Sequence, residues 1–288
     1  MSKKIKREDI KYNFLKKIII RADYNGILER ELEKTVEIIK PILKKYEFDR
    51  FNEGVINQVD FEIKDPEKIE TQRMIPIGEL NKTKTFIFSN SRNGEQIQIN
   101  KYFMSLSVDY AKYIQFEEIG KLFEELFKVI CNNNNYIRFL RLGLRKINNC
   151  ILLDLNRLNE VIEERYFATL GDLLSGENRI NILEKQNIDS FVYDEMNVNL
   201  VRYISSGVLN LDGKEQEAFQ LVLDIDAYKN DEEYLNELIN SENINNELIK
   251  YNTLLFNTYI GMLNDKMINQ LVSGNIDNSL VLGVDKND

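Results

Sequence analysis

The amino-acid sequence predicts an α+β protein, in which antiparallel strands form one or two sheets and helices cover one face. Hydrophobic residues make up 43% of the 288 residues, which is enough for a substantial core. Three segments repeat apolar residues at helical spacing, and short segments rich in β-branched and aromatic residues lie between them. Turn sequences such as Asn93-Gly94 and Asp212-Gly213 separate the strand-like segments and favour antiparallel hairpins.

The first half of the chain begins with a predicted strand, Tyr12–Tyr24, which ends at the turn Asn25-Gly26. Apolar residues recur at helical spacing over Leu28–Tyr46 and again over Phe116–Cys131, so both segments are predicted as amphipathic helices. The segments between these helices are predicted as an antiparallel meander: Val55–Ile63, Arg73–Gly78, Lys84–Phe88, Gln96–Ile99 and Phe103–Tyr110.

The second half repeats this order of elements. The predicted elements are a strand, a helix, two long strands and a closing helix: Tyr136–Asn148, Leu155–Phe167, Asn197–Leu209, Glu217–Tyr228 and Ile244–Met262. We therefore predict two β-α-β(n)-α halves, residues 1–135 and 136–274, followed by a polar, flexible tail at 275–288. A single α+β domain with coincidental ordering is the alternative.

The residue types restrict the chemistry that the chain can perform. It contains no histidine, which excludes Ser-His-Asp and Cys-His catalysis and histidine-based metal sites. Two cysteines, Cys131 and Cys150, are too few for a four-ligand zinc site, and no glycine-rich phosphate-binding motif occurs. No apolar run approaches the roughly 18 residues of a membrane span. We expect a cytoplasmic protein without a cofactor, and a divalent metal only if its carboxylates are catalytic.

The negative charge is concentrated in one segment. Residues 212–247 contain eleven acidic residues and two lysines, which together account for the whole net charge of −9. We predict that this region forms an acidic surface for a basic protein partner, and that it includes Asp224, Asp226, Asp231, Glu232, Glu233 and Glu237. Such a charge makes nucleic-acid binding less favoured, because that function usually needs a positive domain.

The densest group of cations lies in the strand-like segment 138–148. Alternation places Arg141, Gly143 and Arg145 on one face of a strand, while Leu140, Leu142 and Leu144 face the core. The two arginines, with Arg138 and Asn148, are candidates for binding an anion or a partner. The alternative is a ladder of ion pairs with Asp224 and Asp226 on a neighbouring strand.

The stretch from Phe86 to Asn148 resembles a sporadically distributed bacterial family of unassigned function. The resemblance rests on Met104-Ser105-Leu106-Ser107, on the helix Phe116–Ile130, and on a strand that follows the family's R-x-G-L-R-Y-x-N pattern. The matching positions of that strand are Arg141, Gly143, Leu144, Arg145 and Asn148, and the sequence departs from the pattern at Lys146. The resemblance implies no reaction, but patchy occurrence is typical of mobile elements, defence loci and toxin–antitoxin pairs.

Three functions are consistent with these observations. The first is a non-catalytic binding protein that engages a basic partner through the acidic region, within a defence, anti-defence or toxin-neutralising system. The second is an enzyme acting on a phosphorylated or nucleic-acid substrate, with Arg141 and Arg145 holding the anion and Asp224 and Asp226 acting as acid, base or metal ligands. The third is nucleic-acid binding by an open sheet face, with residues Arg138, Lys146, Tyr136 and Phe139 and the basic N-terminus.

Overall fold

The computed structural model describes residues 5–58, 61–62, 75–76, 81–92, 94–109, 116–167, 183–211, 213–241 and 243–286. It has the predicted α+β architecture, with a large antiparallel sheet and helices packed against it. The helices are α1 (Glu29–Lys45), α2 (Phe116–Asn132), α3 (Glu232–Asn240), α4 (Ile244–Met262) and α5 (Asp265–Ser273). The strands of the main sheet are β2 (Leu15–Asn25), β3 (Arg50–Gln58), β6 (Asn81–Ser89), β7 (Gln96–Ile99), β8 (Phe103–Asp109), β9 (Arg138–Leu152), β10 (Glu184–Tyr193), β11 (Met196–Leu211), β12 (Lys214–Lys229) and β13 (Val281–Leu282). Four two-residue strands lie outside it: β1 (Tyr12–Asn13) with β14 (Asp285–Lys286), and β4 (Phe61–Glu62) with β5 (Ile75–Pro76).

The two predicted halves share one sheet. Its strand order is β10-β11-β12-β9-β2-β8-β7-β6-β3, and β13 adds to the end of β9. Strand β2 of the first half pairs with strand β9 of the second half at the centre of the sheet. On its other side, β2 pairs with β8 and β9 pairs with β12, the last long strand of each half. This arrangement suits two related units, and the duplication itself stays a prediction.

Alternation along the strands divides the sheet into two faces. Ile18 and Ile20 of β2, Leu144 of β9, and Leu223 and Ile225 of β12 are buried on the face that carries the helices. The alternate side chains of these strands lie on the other face, which we call the open face, and most of them are only partly buried. Charged side chains can therefore lie on the open face without disrupting the core.

Some predicted elements change type. The helix predicted over Leu155–Phe167 is instead two short 3₁₀ turns, Leu155–Glu160 and Glu164–Tyr166. Between the turns, Ile162 forms an isolated β-bridge with Leu263. The backbone of this segment is therefore hydrogen-bonded to the junction of α4 and α5, and does not continue as a helix. The predicted helices α1 and α2 agree within about a residue at each end. Parts of the predicted strands Val55–Ile63, Arg73–Gly78 and Phe103–Tyr110 lie outside the described residues, namely 59–60, 63, 73–74, 77–78 and 110. The turn residues Asn93 and Asp212 also lie outside them.

The C-terminal segment is docked, which corrects the prediction of a flexible polar tail. Leu280 and Val281 are fully buried, and β13 extends the central strand β9 by pairing Val281 with Leu152. Beyond β13, strand β14 pairs with β1 near the beginning of the chain. Helix α5, which precedes this segment, ends at Gly274 in the left-handed conformation. Burial of the short apolar run 280–282 thus attaches the segment to the core.

Replacing Leu280 tests this docking. Leu280→Ala should lower the free energy of unfolding by about 3 kcal/mol, since it leaves a cavity in a fully packed site. Urea denaturation measures the change, with the exposed neighbour Asn278→Ala as the matched control, which should change stability by less than about 0.5 kcal/mol. Equal stability of the two variants would contradict a docked C-terminal segment.

Candidate functional site

Arg141 and Arg145 stand at the centre of the open face and are both engaged by aspartates. Arg145 binds Asp224 with two hydrogen bonds, of which Nε to Oδ1 measures 2.7 Å. Arg141 Nη2 donates to Asp226 Oδ2 at 2.6 Å, and its Nη1 lies 3.6 Å from Asp23 Oδ2. In the strand register Arg145 lies opposite Asp226. The side chains of Arg145 and Arg141 therefore extend diagonally across the two strands to reach Asp224 and Asp226. The side chains form a cross-strand ion-pair ladder.

The ladder as a whole carries no excess charge. Arg21 of β2 pairs with Asp23 at 2.6 Å and stacks on the ring of Phe103, so three arginines face three aspartates across β2, β9 and β12. A bound anion would have to displace Asp224 from its bidentate contact with Arg145, which is among the stronger polar contacts in proteins, or Asp226 from its hydrogen bond with Arg141. This geometry favours the structural alternative for these four residues.

Gly143 makes room for the ladder itself. A Cβ atom at this position would lie 2.9 Å from Nη2 of Arg141, closer than carbon and nitrogen atoms approach. A glycine between two arginines on a strand can also leave room for a ligand or another backbone. In the structure the space holds the guanidinium of Arg141, which also lies over the ring of Tyr228 with 4.5 Å between Cζ and the ring centroid.

A β-bulge corrects the predicted face of Leu140. Asp23 pairs with Arg141 and the next residue, Tyr24, pairs with Phe139, so Leu140 is an extra residue without a partner in β2. Alternation restarts at the bulge. Phe139 is therefore buried against Tyr24, while Leu140 is 42% exposed instead of belonging to the core.

Asn148 and Arg138 do not join the two arginines. Asn148 faces the helices, is buried, and donates to the carbonyl of Leu223 at 3.2 Å. Arg138 lies at the start of β9, where it forms two hydrogen bonds of 2.7 and 3.0 Å with Glu232 of α3. Within the candidate set, only Arg141 and Arg145 share one site.

Lys146 is a buried amine on the helix-facing side. Its ammonium donates to Oδ1 of Asn252 on α4, and Arg7 donates to the carbonyl of the same residue at 3.0 Å. Burial, with a smaller contribution from the charge of Arg7, lowers the pKa of Lys146 from its usual 10.5 to about 7. The position where the resembled family usually has an aromatic residue is thus a core position, and not a stacking site on the open face.

The acidic segment 212–247 is divided by the fold. Asp224 and Asp226 belong to the ladder, whereas Glu215 and Glu217 are exposed near the start of β12 and α3 follows its end. With 16 residues in β12, these two groups lie about 50 Å apart at about 3.3 Å per residue. Asp212 and Glu242 lie outside the described residues. The predicted acidic surface is therefore not one continuous surface.

A more compact acidic surface forms where β12 ends. The two-residue turn between β10 and β11 brings Asp194 and Glu195 beside this end, since Asn197 pairs with Tyr228 and Lys229 Nζ lies 3.9 Å from a Glu195 carboxylate oxygen. We call this surface the acidic end, and its members are Asp194, Glu195, Asp231, Glu232, Glu233 and Glu237. Five of them are exposed residues, and Glu232 is partly buried.

Few cations offset the acidic end. Lys229 is largely buried, lying over the ring of Tyr234 and 3.6 Å from the buried carboxylate of Glu247. Lys229, Lys250 and Tyr234 surround Glu247. Burial alone would raise the pKa of Glu247, but the hydrogen bonds from Lys250 and Tyr234 outweigh it, so the pKa is lower than usual. Arg138 neutralises Glu232. The remaining exposed acids, including Glu195 with 88% of its side chain accessible, face solvent.

Sequence reasoning missed Asp194, Glu195 and helix α3. The turn carries no glycine, although Asp194 and Glu195 have φ angles of +49° and +61°, so the usual Asn-Gly signal of such a turn is missing. A start signal for α3 was present, since Asp231 caps the helix by accepting from the amide of Tyr234 at 2.8 Å.

The two cysteines are poor nucleophiles at neutral pH. Burial raises the pKa of both thiols, Cys131 and Cys150, to about 12, so they stay protonated at neutral pH. Among the described residues no group of three histidine, cysteine or acidic side chains is placed to hold a metal ion. In the same residues, no helix combines the length and the hydropathy that crossing a membrane requires.

Comparisons with known proteins identify no relative. Protein-family models, curated proteins and solved structures all lack a significant match to this chain. The resemblance of the strand Arg141–Asn148 to a family pattern therefore stays a prediction.

The buried amine of Lys146 predicts a pH dependence of stability. Between about pH 7 and 10.5 the unfolded chain binds a proton that the folded protein excludes, so stability falls as the pH is lowered through this window. Lys146→Met removes this loss, and the stability difference between wild type and variant should change by about 2 kcal/mol from pH 9.5 to 7.5. Urea denaturation at both values measures it.

The exposed Lys45 of α1 provides the control for this experiment. Lys45→Met leaves the buried amine in place and should follow the wild type at both pH values. If the difference between Lys146→Met and wild type were the same at pH 7.5 and 9.5, Lys146 would not be a neutral amine in the folded protein.

Proposed function

We propose that the protein is a non-catalytic binding protein that engages a basic protein partner through the acidic end. The observation that supports this function best is the gathering of six acidic residues from the β10–β11 turn and α3. Arg138 pairs with Glu232 and Lys229 with Glu195. Lys250, which lies near Glu237, pairs with the buried Glu247. Charge of one sign on a compact surface attracts an oppositely charged partner and speeds association. Exposed apolar side chains at the same end, Val192 and Tyr193, offer it contact area.

The backbone of the turn adds support. Asp194 and Glu195 both adopt left-handed conformations, which cost a non-glycine residue free energy, and Asn-Gly would fit this turn better. Retaining two acids at strained positions is typical of residues selected for function over stability.

The two other functions have less support. An enzyme site would need Asp224 and Asp226 free for substrate or metal, and both bind arginines. Nucleic-acid binding by the open face would need Phe139 and Lys146 on that face, and both side chains are buried on the helix side.

Charge reversal at the acidic end tests the proposal. The triple variant Glu195→Lys, Glu233→Lys, Glu237→Lys should lose the basic proteins that the wild type captures from a lysate of the source organism, as quantified by mass spectrometry. Capture by the wild type should also weaken between 50 and 300 mM salt, because surface charges are screened. Circular dichroism checks that the variant is folded.

The control reverses two acids of the same sequence segment at the distant end of β12. Glu215→Lys, Glu217→Lys makes the net charge more positive by about 4, against about 6 for the triple variant, and should leave capture unchanged. The proposal is wrong if the triple variant still captures the same proteins, or if the control loses them equally, since net charge alone would then explain binding.

The turn predicts a trade-off between stability and binding. Asp194→Asn, Glu195→Gly relieves the positive φ angle of Glu195 and should raise the free energy of unfolding by about 1 kcal/mol while weakening capture. Urea denaturation and the same capture experiment measure the two effects. Glu195→Gln is the control, which removes a charge but keeps the strain; a stability gain equal to that of the double variant would refute the strain argument.

A further inference from the structure

A second charged site lies at the far edge of the sheet, where α1 meets β3. Lys40 and Lys44 occupy successive turns on one side of α1. Glu47, with a φ of +63°, then reverses the chain, and Phe48 is buried as the anchor of the turn. Strand β3 therefore begins directly beneath the last turn of α1, and a cleft remains between them.

The cleft has a volume of about 590 Å³, within the range of small-molecule sites. We call it the basic cleft. Its lining combines four cations with two acids and an aromatic floor, and the residues that matter below are Lys40, Lys44, Arg50, Phe51 and Arg92. A cationic cleft is unexpected on a chain with a net charge of −9.

The two acids of the basic cleft are already engaged. Asp49 accepts hydrogen bonds from the amide and the hydroxyl of Ser91 at 2.9 and 2.5 Å, and these bonds lower the pKa of its carboxyl. Glu47 pairs with Arg92 at 3.1 Å. Among the residues that the structure describes, Lys44 and Arg50 form no ion pair, so their charge is available to an anion.

The carbonyl end of α1 would by itself repel an anion. Its effect is reduced here, because the carbonyls of Leu43 and Lys44 accept the amides of Tyr46, Glu47 and Phe48 at 3.0 to 3.3 Å. Lys40 and Arg92 are paired with Glu37 and Glu47, so Lys44 and Arg50 supply the cationic charge at the opening that an anion can use.

Phe51 provides a flat surface beside these cations. Its ring is 39% exposed and packs with Phe88, with 4.9 Å between centroids, and with Phe86 at 6.3 Å. The ammonium of Lys40 lies 4.4 Å from the centroid of Phe51. Lys40 is itself paired with Glu37, whose Oε1 lies 2.6 Å from the lysine Nζ. An aromatic ring beside cationic side chains is a combination that binds the base of a nucleotide.

We propose that the basic cleft binds a nucleotide, with the phosphate between Lys44 and Arg50 and the base against Phe51. The same chemistry is presented by a free mononucleotide and by the 5′-phosphorylated end of a nucleic-acid strand. This site is independent of the acidic end, and neither depends on the other.

Isothermal titration calorimetry tests this site with four probes: adenosine 5′-monophosphate, adenosine, inorganic phosphate and a 5′-phosphorylated single-stranded oligonucleotide. The monophosphate should bind more tightly than adenosine or phosphate alone, and more weakly as salt rises. Tighter binding of the oligonucleotide than of the monophosphate assigns the site to strand ends, and the reverse assigns it to free nucleotides.

Variants distinguish the contribution of the cationic side chains to binding from that of the Phe51 ring. Lys44→Gln and Arg50→Gln should each weaken monophosphate binding by about fivefold, whereas Lys45→Gln, one residue away and outside the lining, should leave it unchanged. Phe51→Leu should weaken the monophosphate by roughly fivefold or more while leaving inorganic phosphate unaffected. The inference fails if no probe binds at millimolar concentration, if Lys45→Gln weakens binding as much as Lys44→Gln, or if a polyglutamate peptide binds as tightly as the monophosphate.

Discussion

The pairing of β2 with β9 at the centre of the sheet is the constraint on which the rest of the structure depends. Each of these strands begins one half of the chain, and each holds the last long strand of its own half on the other side. The buried side chains of this pair, such as Ile20 and Leu144, form the floor on which the helices pack. Without the pair, the halves would have two separate exposed edges.

The same pair sets the position of the charged groups at the centre of the sheet. On the open face it carries Arg21, Asp23, Arg141 and Arg145, which balance the aspartates of β12 and leave the centre of that face neutral. On the other face it carries Lys146, whose burial is compensated by Asn252 of α4. The net charge that remains is therefore displaced to the ends of the sheet, where the strands turn.

The sequence predicted what local patterns determine. Helical spacing located α1 and α2, and period-two spacing placed Arg141, Gly143 and Arg145 on one face, because both patterns arise within a single element. It failed where distant contacts decide the outcome. The bulge at Leu140 depends on the partner strand β2, the 3₁₀ turns at 155–166 depend on the α4–α5 junction, and the docking of Leu280 depends on β9. Likewise, Glu195 joins the acidic end only through the pairing of β11 with β12.

The separation of the acidic end from the basic cleft contributes an electric dipole moment from the residues that the structure describes. The acidic end lies beside β11 and β12 and the basic cleft beside β3, on opposite flanks of a sheet whose neighbouring strands are about 4.8 Å apart. In the field of a charged body the protein experiences a torque as well as a force, and it rotates before contact is made. A positively charged surface would attract the acidic end and repel the basic cleft.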